Sequence, residues 1–178
     1  IYIRANGLID PATAPISTVD RVTYTITNNV YDSIEIERDN IILDGAGYTI
    51  QGAGSWAGID LEGRSNVTIR NVVIKGFVYG IDIDNSSNLS IHGNNITYNL
   101  KDGIFLSDSS HNRIFGNSVI ENDEDGIDLY RSSNNSITGN NITENDFDGI
   151  GISYSSNYND IFRNNIAKND EDSVDFYE

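Results

Sequence analysis

Aspartate and glutamate are the side chains of this 178-residue sequence best placed to do chemistry, and they fall into two sets. Asp60, Asp82 and Asp128 each follow a Gly-Ile pair, with Glu62 and Asp84 two residues beyond the first two. If the Gly-Ile segments are neighbouring strands, Asp60 and Asp82 stand about 5 Å apart, the separation at which one carboxylate attacks a glycosidic carbon while another transfers a proton. Phe105 and Gly151 interrupt this column, and no Lys or Arg stands in it. The second set is Asp123, Asp125, Asp146, Asp148, Asp170 and Asp172, with Asp102 before them. Stacked at a strand spacing, unit charges repel by about 0.9 kcal/mol per pair in water and by about 3.5 at an effective dielectric of 20. Oxygen-only surroundings of this kind suit Ca²⁺, the one cofactor these residues raise, although none is required. The calcium nonapeptide Gly-Gly-x-Gly-x-Asp is missing, and the plain alternative is a solvated acidic edge.

Other chemistry is thinner. His92 and His111 occupy nonequivalent repeat positions and offer no metal pair. With no Cys and no Met, the chain has neither disulfides nor readily oxidised sulfur. Six Asn-x-Ser/Thr triplets, at Asn66, Asn85, Asn88, Asn95, Asn134 and Asn141, are glycan acceptors in an exported protein, though a sequence rich in Asn, Ser and Thr produces such triplets by composition. Tyr130, Tyr154 and Tyr177 add outward rings on which sugars could stack.

With 27 acidic against 11 basic side chains, the formal charge is −16. A phosphate backbone or an anionic membrane surface would be repelled, so nucleic acid is excluded as a partner and cations, glycans or protein remain. No apolar run is long enough to insert into a membrane. A chain that opens on Ile1 and contains no Met is expected to have lost a leader, which places it outside the cell or at its surface.

What positions these carboxylates is a repeat. Gly-Ile recurs at Gly58-Ile59, Gly80-Ile81, Gly103-Ile104, Gly126-Ile127 and Gly149-Ile150, and degenerates to Ser173-Val174, at spacings of 22, 23, 23, 23 and 24. Three further columns keep step: Ile69, Ile91, Ile114, Ile137 and Ile161; Asn71, Asn94, Asn117, Asn140 and Asn164; Val73, Ile96, Val119, Ile142 and Ile166. Within one period, three strands of two to five residues alternate with tight turns, leaving no room for a helix. The period predicts an all-β, single-stranded parallel β-helix of about six coils of 22–25 residues. Residues 1–32 lie outside the period and form an N-terminal edge strand and capping segment; 33–178 form the solenoid, one continuous domain with an uncapped last coil. Asn94, Asn117, Asn140 and Asn164 are expected to stack as an amide ladder, with a second row at Asn99, Asn122, Asn145 and Asn169.

The phrase Asn-Asn-Ser-Ile-Thr-Gly-Asn-Asn-Ile-Thr at 134–143, with Gly-Ile-Asp-Leu before it, resembles the right-handed parallel β-helix repeats of NosD-like and other carbohydrate-binding and sugar-hydrolase proteins. The segment from Ile34 to Gly52, with Arg38-Asp39-Asn40-Ile41-Ile42-Leu43-Asp44-Gly45-Ala46-Gly47, resembles the opening coil of secreted archaeal members. The resemblance covers about residues 33–178 and implies the fold; one β-helix hosts lyases, hydrolases, binding modules and structural proteins alike.

The function first expected is that of an extracellular structural protein whose copies assemble head to tail into filaments, through Val174, Phe176 and Tyr177 on one face and Ile1, Tyr2, Ile3 and Arg4 on the other. The alternative is a glycan-binding module of a surface protein. A polysaccharide lyase or hydrolase ranks third, because no long loops wall a substrate groove.

Overall fold

The computed structural model describes residues 1–177 of the chain. Three parallel sheets wrap a single core in about seven turns, with no helix among the described residues. One turn runs through Ile104–Ser107 of the first sheet, Arg113–Phe115 of the second and Ser118–Ile120 of the third, and the next begins at Ile127–Tyr130. Each strand pairs with its copy one turn away, so Ile81, Ile104, Ile127, Ile150 and Val174 align, as do Ile91, Ile114, Ile137 and Ile161. Their side chains fill the interior; Ile104, Ile114, Val119, Ile127 and Ile137 are fully buried. Each such side chain contributes about 1.5–3 kcal/mol before ordering costs are counted.

Turns carry the polar part of the design. Residues at Asn66, Asn88, His111 and Asn134 share a left-handed conformation, which Asn tolerates better than other non-Gly residues. At Gly126 the constraint is space: a Cβ there would sit 2.7 Å from the Gly149 carbonyl oxygen and closer still to the Ile142 side chain. Inside the turns the Asn94–Asn117–Asn140–Asn164 ladder forms as expected, each Nδ2 donating to the next Oδ1 at 3.0 Å. The row at Asn99, Asn122, Asn145 and Asn169 repeats this at 2.9 Å.

Asn71 and Val73 depart from the expected columns. Val72 occupies the ladder position, its N–H donating to Asn94 Oδ1, and Ile74 rather than Val73 pairs with Ile96. The turn there has 22 residues, so the type match to Asn94 lies one position off the register.

The N-terminal segment is built in more firmly than an edge strand. Tyr2–Ile3 lies between Ile34–Ile36, parallel, and Ile9–Asp10, antiparallel. Thr23–Ile26 lies between Ile41–Asp44 and Ile16–Ser17 in the same manner. The segment thus adds a turn to the six expected. It also leaves Ile1, Tyr2, Ile3 and Arg4 without a free strand edge: Ile3 is buried and Arg4 is held by Asp10 and Glu37, both at 2.6 Å. These four residues are therefore not the free strand edge expected for a head-to-tail contact.

Candidate functional site

Along the first sheet the outward positions read Tyr2, Glu35, Asp60, Asp82, Phe105, Asp128, Gly151 and Asp175, one per turn in register. A parallel row two residues on reads Glu62, Asp84, Ser107, Tyr130 and Ser153. No Lys, Arg or His occurs in any strand of this sheet among the described residues, whereas the second sheet carries Arg70, His92 and Arg113 and the third Lys75. The fold thus segregates charge, and one long face is acidic.

Aromatic rings interleave with those acids. The loop through residues 52–56 folds over the first sheet and places Trp56 Nε1–H as a donor to Asp82 Oδ2 at 2.7 Å. Trp56 meets Tyr79 edge-on, with centroids 5.2 Å apart, and Tyr79 stacks on Phe105 at 5.1 Å. The indole nevertheless stays 61% exposed. A cavity of about 350 Å³ lies beside it, lined by Trp56, Asp60, Glu62, Asp82, Asp84, Phe105 and Ser107. Burial, reinforced by Asp82 and Glu35, pushes the Asp60 carboxyl up to about 6. Burial raises Asp82 as well, opposed by the bond from Trp56.

A second cavity, about 740 Å³, opens two turns further along and is lined by Asp102, Asp125, Asp128, Phe147, Tyr154 and Tyr177 among others. Asp102, Asp125 and Asp148 each accept a backbone N–H from the following turn, from Asp125, Asp148 and Asp172 respectively, at 2.8–3.0 Å. Burial, with Asp128 and Asp125 close by, holds Asp102 well above the usual carboxylate range. Burial likewise pushes Asp125 up to about 6, and burial with the Asp125 charge pushes Asp128 up to about 7. Groups that titrate near neutrality in a cavity can move protons. The Tyr177 hydroxyl donates to Asp148 Oδ2 and is thereby kept protonated.

The six aspartates expected to hold Ca²⁺ do not converge. Asp125 and Asp148 continue the N–H-accepting row that starts at Asp102, Asp172 only donates its N–H to Asp148 and is exposed, and Asp123, Asp146 and Asp170 form a separate, exposed row. Among the described residues, no three of His, Cys, Asp and Glu meet in a metal-binding arrangement. The triplet residues Asn66, Asn85, Asn88 and Asn134 lie exposed at left-handed turns, Asn95 is exposed on a strand and Asn141 half-exposed. Tyr154 and Tyr177 are exposed as expected; Tyr130 is half-buried against Tyr154, centroids 4.8 Å apart. Val174 pairs with Ile150, and Phe176, in register with Ile152, is 71% exposed.

Sequence reasoning overlooked Trp56 and Tyr79. The signal was present: one tryptophan in the whole chain, set in the Gly52-Ala53-Gly54-Ser55 loop immediately before the first Gly-Ile pair. It also overlooked a third ladder, Asn112–Asn135–Asn159, and a serine row through Ser86, Ser109, Ser132 and Ser156.

Three parallel sheets, stacked amides and short turns define a right-handed parallel β-helix. Within that class the chain belongs to the NosD family, described as periplasmic copper-binding protein (NosD), whose match spans residues 7–175. No curated protein matches it in sequence. Among solved structures, a double mutant of the periplasmic alginate epimerase AlgG is similar at 20% identity and TM-score 0.62, covering 83% of this chain and 45% of that one. A single mutant of the same epimerase is similar at 26% identity and TM-score 0.64, covering 74% and 32%. The chain therefore spans less than half the length of these two structures.

Copper does not fit the residues present. Cys and Met are missing from the chain, His92 is stacked on Phe115 at 4.7 Å on the second sheet, and His111 sits at a left-handed turn. Copper sites call for imidazole or sulfur ligands brought together. Sulfur is missing, and the two imidazoles lie on different elements, one stacked on Phe115 and the other at a turn.

Proposed function

We propose that the chain is a glycan-binding β-helix module of an exported protein, holding an extended saccharide along the outward face of the first sheet. The observation that carries this reading is the exposed indole of Trp56, fixed by its bond to Asp82 and continued by Tyr79 and Phe105, with carboxylates on the same face. Sugars present apolar C–H faces that suit aromatic rings and hydroxyls that donate to carboxylates. Membership of a periplasmic family and likeness to an epimerase of a polysaccharide support it. Alginate itself, a polyanion, is a poor candidate for so acidic a face. Binding rather than bond cleavage is the reading preferred, because the turns along this face are short and exclude little water. Calorimetric titration with neutral, amine-bearing and uronate oligosaccharides tests it, alongside Trp56→Ala. Saturable binding weakened at least tenfold in the variant is expected; no binding of any saccharide would overturn it.

Head-to-tail assembly is the second reading, and Phe176 favours it. Its exposed ring borders a hollow of about 560 Å³ lined also by Ile152, Ile161 and Val174, apolar surface that a second copy would cover. Sedimentation velocity over a hundredfold concentration range tests this: assemblies lost in Phe176→Asp support it, and a monomer at every concentration ends it.

A further inference from the structure

We propose that the unit seated at Trp56 is an amino sugar whose protonated amine lies between Asp60 and Asp82. The inference rests on the glycan-binding reading above and adds the chemical class of the ligand. Asp60 and Asp82 are direct neighbours across a strand pair, each facing outward into the same cavity. Trp56 donates to one oxygen of Asp82, which fixes the indole beside both carboxylates. The remaining lining residues are Glu62, Asp84, Phe105 and Ser107, so no cation lines the cavity.

The basic side chains of the chain do not supply one. Among the described residues Arg4 is engaged by Asp10 and Glu37, Arg64 by Asp39, Arg70 by Asp44 and Lys101 by Glu124, and no ion pair reaches Asp60, Glu62, Asp82 or Asp84. Four carboxylates line a cavity with an exposed tryptophan, and its electrostatic complement is missing. A metal ion is a poor complement, because it needs a shell of oxygens where this cavity is lined also by Trp56 and Phe105. An organic cation suits both halves: ammonium attracts carboxylate at short range, indole is the ring that cations prefer, and the carbon skeleton of the same molecule covers the aromatic surface. Among saccharides, only an amino sugar offers that combination. A uronate reverses the sign, and an N-acetylated unit lacks the charge.

Calorimetric titration with a glucosamine pentamer, its fully N-acetylated counterpart and an oligogalacturonate tests the inference at moderate salt. The amine form is expected to bind about tenfold more tightly than the acetylated one, equivalent to about 1.4 kcal/mol, and the uronate not at all. In the isosteric pair Asp60→Asn with Asp82→Asn, that preference should fall towards unity, and a β-sheet circular-dichroism spectrum matching that of the parent chain shows that the variant folds. A control that removes two charges elsewhere, Asp170→Asn with Glu171→Gln, should leave the preference intact. Equal affinity for amine and acetylated forms overturns the inference while leaving the glycan reading standing. Loss of preference in the control shows bulk attraction to an acidic particle and overturns it too. Failure of all three oligosaccharides overturns both.

Discussion

Gly151 stands in register with Asp128 on the adjacent strand, and a Cβ on Gly151 would lie 3.2 Å from Asp128 Oδ1 and overlap Asp125 Oδ2. The missing side chain is therefore what admits two half-buried carboxylates to the same space. Gly151→Ala is expected to displace the Asp125 carboxylate, which also accepts the Asp148 N–H, and to destabilise the fold by about 1–3 kcal/mol, as overpacking does. Urea denaturation measures it; an unchanged midpoint would show that the pair does not need the gap.

The same carboxylates set the pH dependence of stability. Asp60 and Asp125 are raised to about 6 and Asp128 to about 7, so between pH 4 and 7 the folded chain binds more protons than the unfolded one. Stability from these groups is fully present below pH 4 and is lost as pH rises through 6 to 7. Thermal melting at constant ionic strength should give a lower Tm at pH 8 than at pH 5. Asp128→Asn should flatten that slope and raise the Tm at pH 8; a Tm that rises with pH across this window would contradict the assignment.

Amide ladders make the interior polar yet satisfied. Asn117 donates to Ile91 O at 2.9 Å and Asn140 Oδ1 at 3.0 Å, and accepts from both the backbone and the side chain of Asn94. Removing it strands several buried groups, each costing about 1–3 kcal/mol when unsatisfied. Asn117→Ala should lose about 3 kcal/mol by chemical denaturation, against about 1 for the exposed Asn88→Ala, which loses only the preference of Asn for its left-handed turn. Asn117→Asp should be worse than Ala, since an oxygen would then face Asn140 Oδ1. Equal losses at 88 and 117 would contradict the ladder.

Fold was legible because the solenoid repeats its physics every turn: an inward Ile must fall above another Ile, and an amide above another amide. The register failed at Asn71 because residue type was followed where spacing should have been, and Val72 holds the ladder position there. The site was half legible. Outward aspartates follow from alternation on a strand, so Asp60 and Asp82 could be placed together from sequence. Trp56 could not, since it reaches Asp82 from a loop outside the repeat, 26 residues away in the chain. Nor does spacing distinguish Asp123, exposed, from Asp125, half-buried, because what separates them is which side of the turn faces the next N–H.

Trp56 is the single tryptophan of the chain, so its fluorescence reports the proposed site without a label. The most direct test of the account is an emission titration with the glucosamine pentamer. The account predicts a saturable blue shift as the half-exposed indole loses water, with the midpoint matching calorimetry, and no shift with oligogalacturonate. Calorimetric binding of the pentamer with no change in Trp56 emission would place the saccharide elsewhere and contradict it.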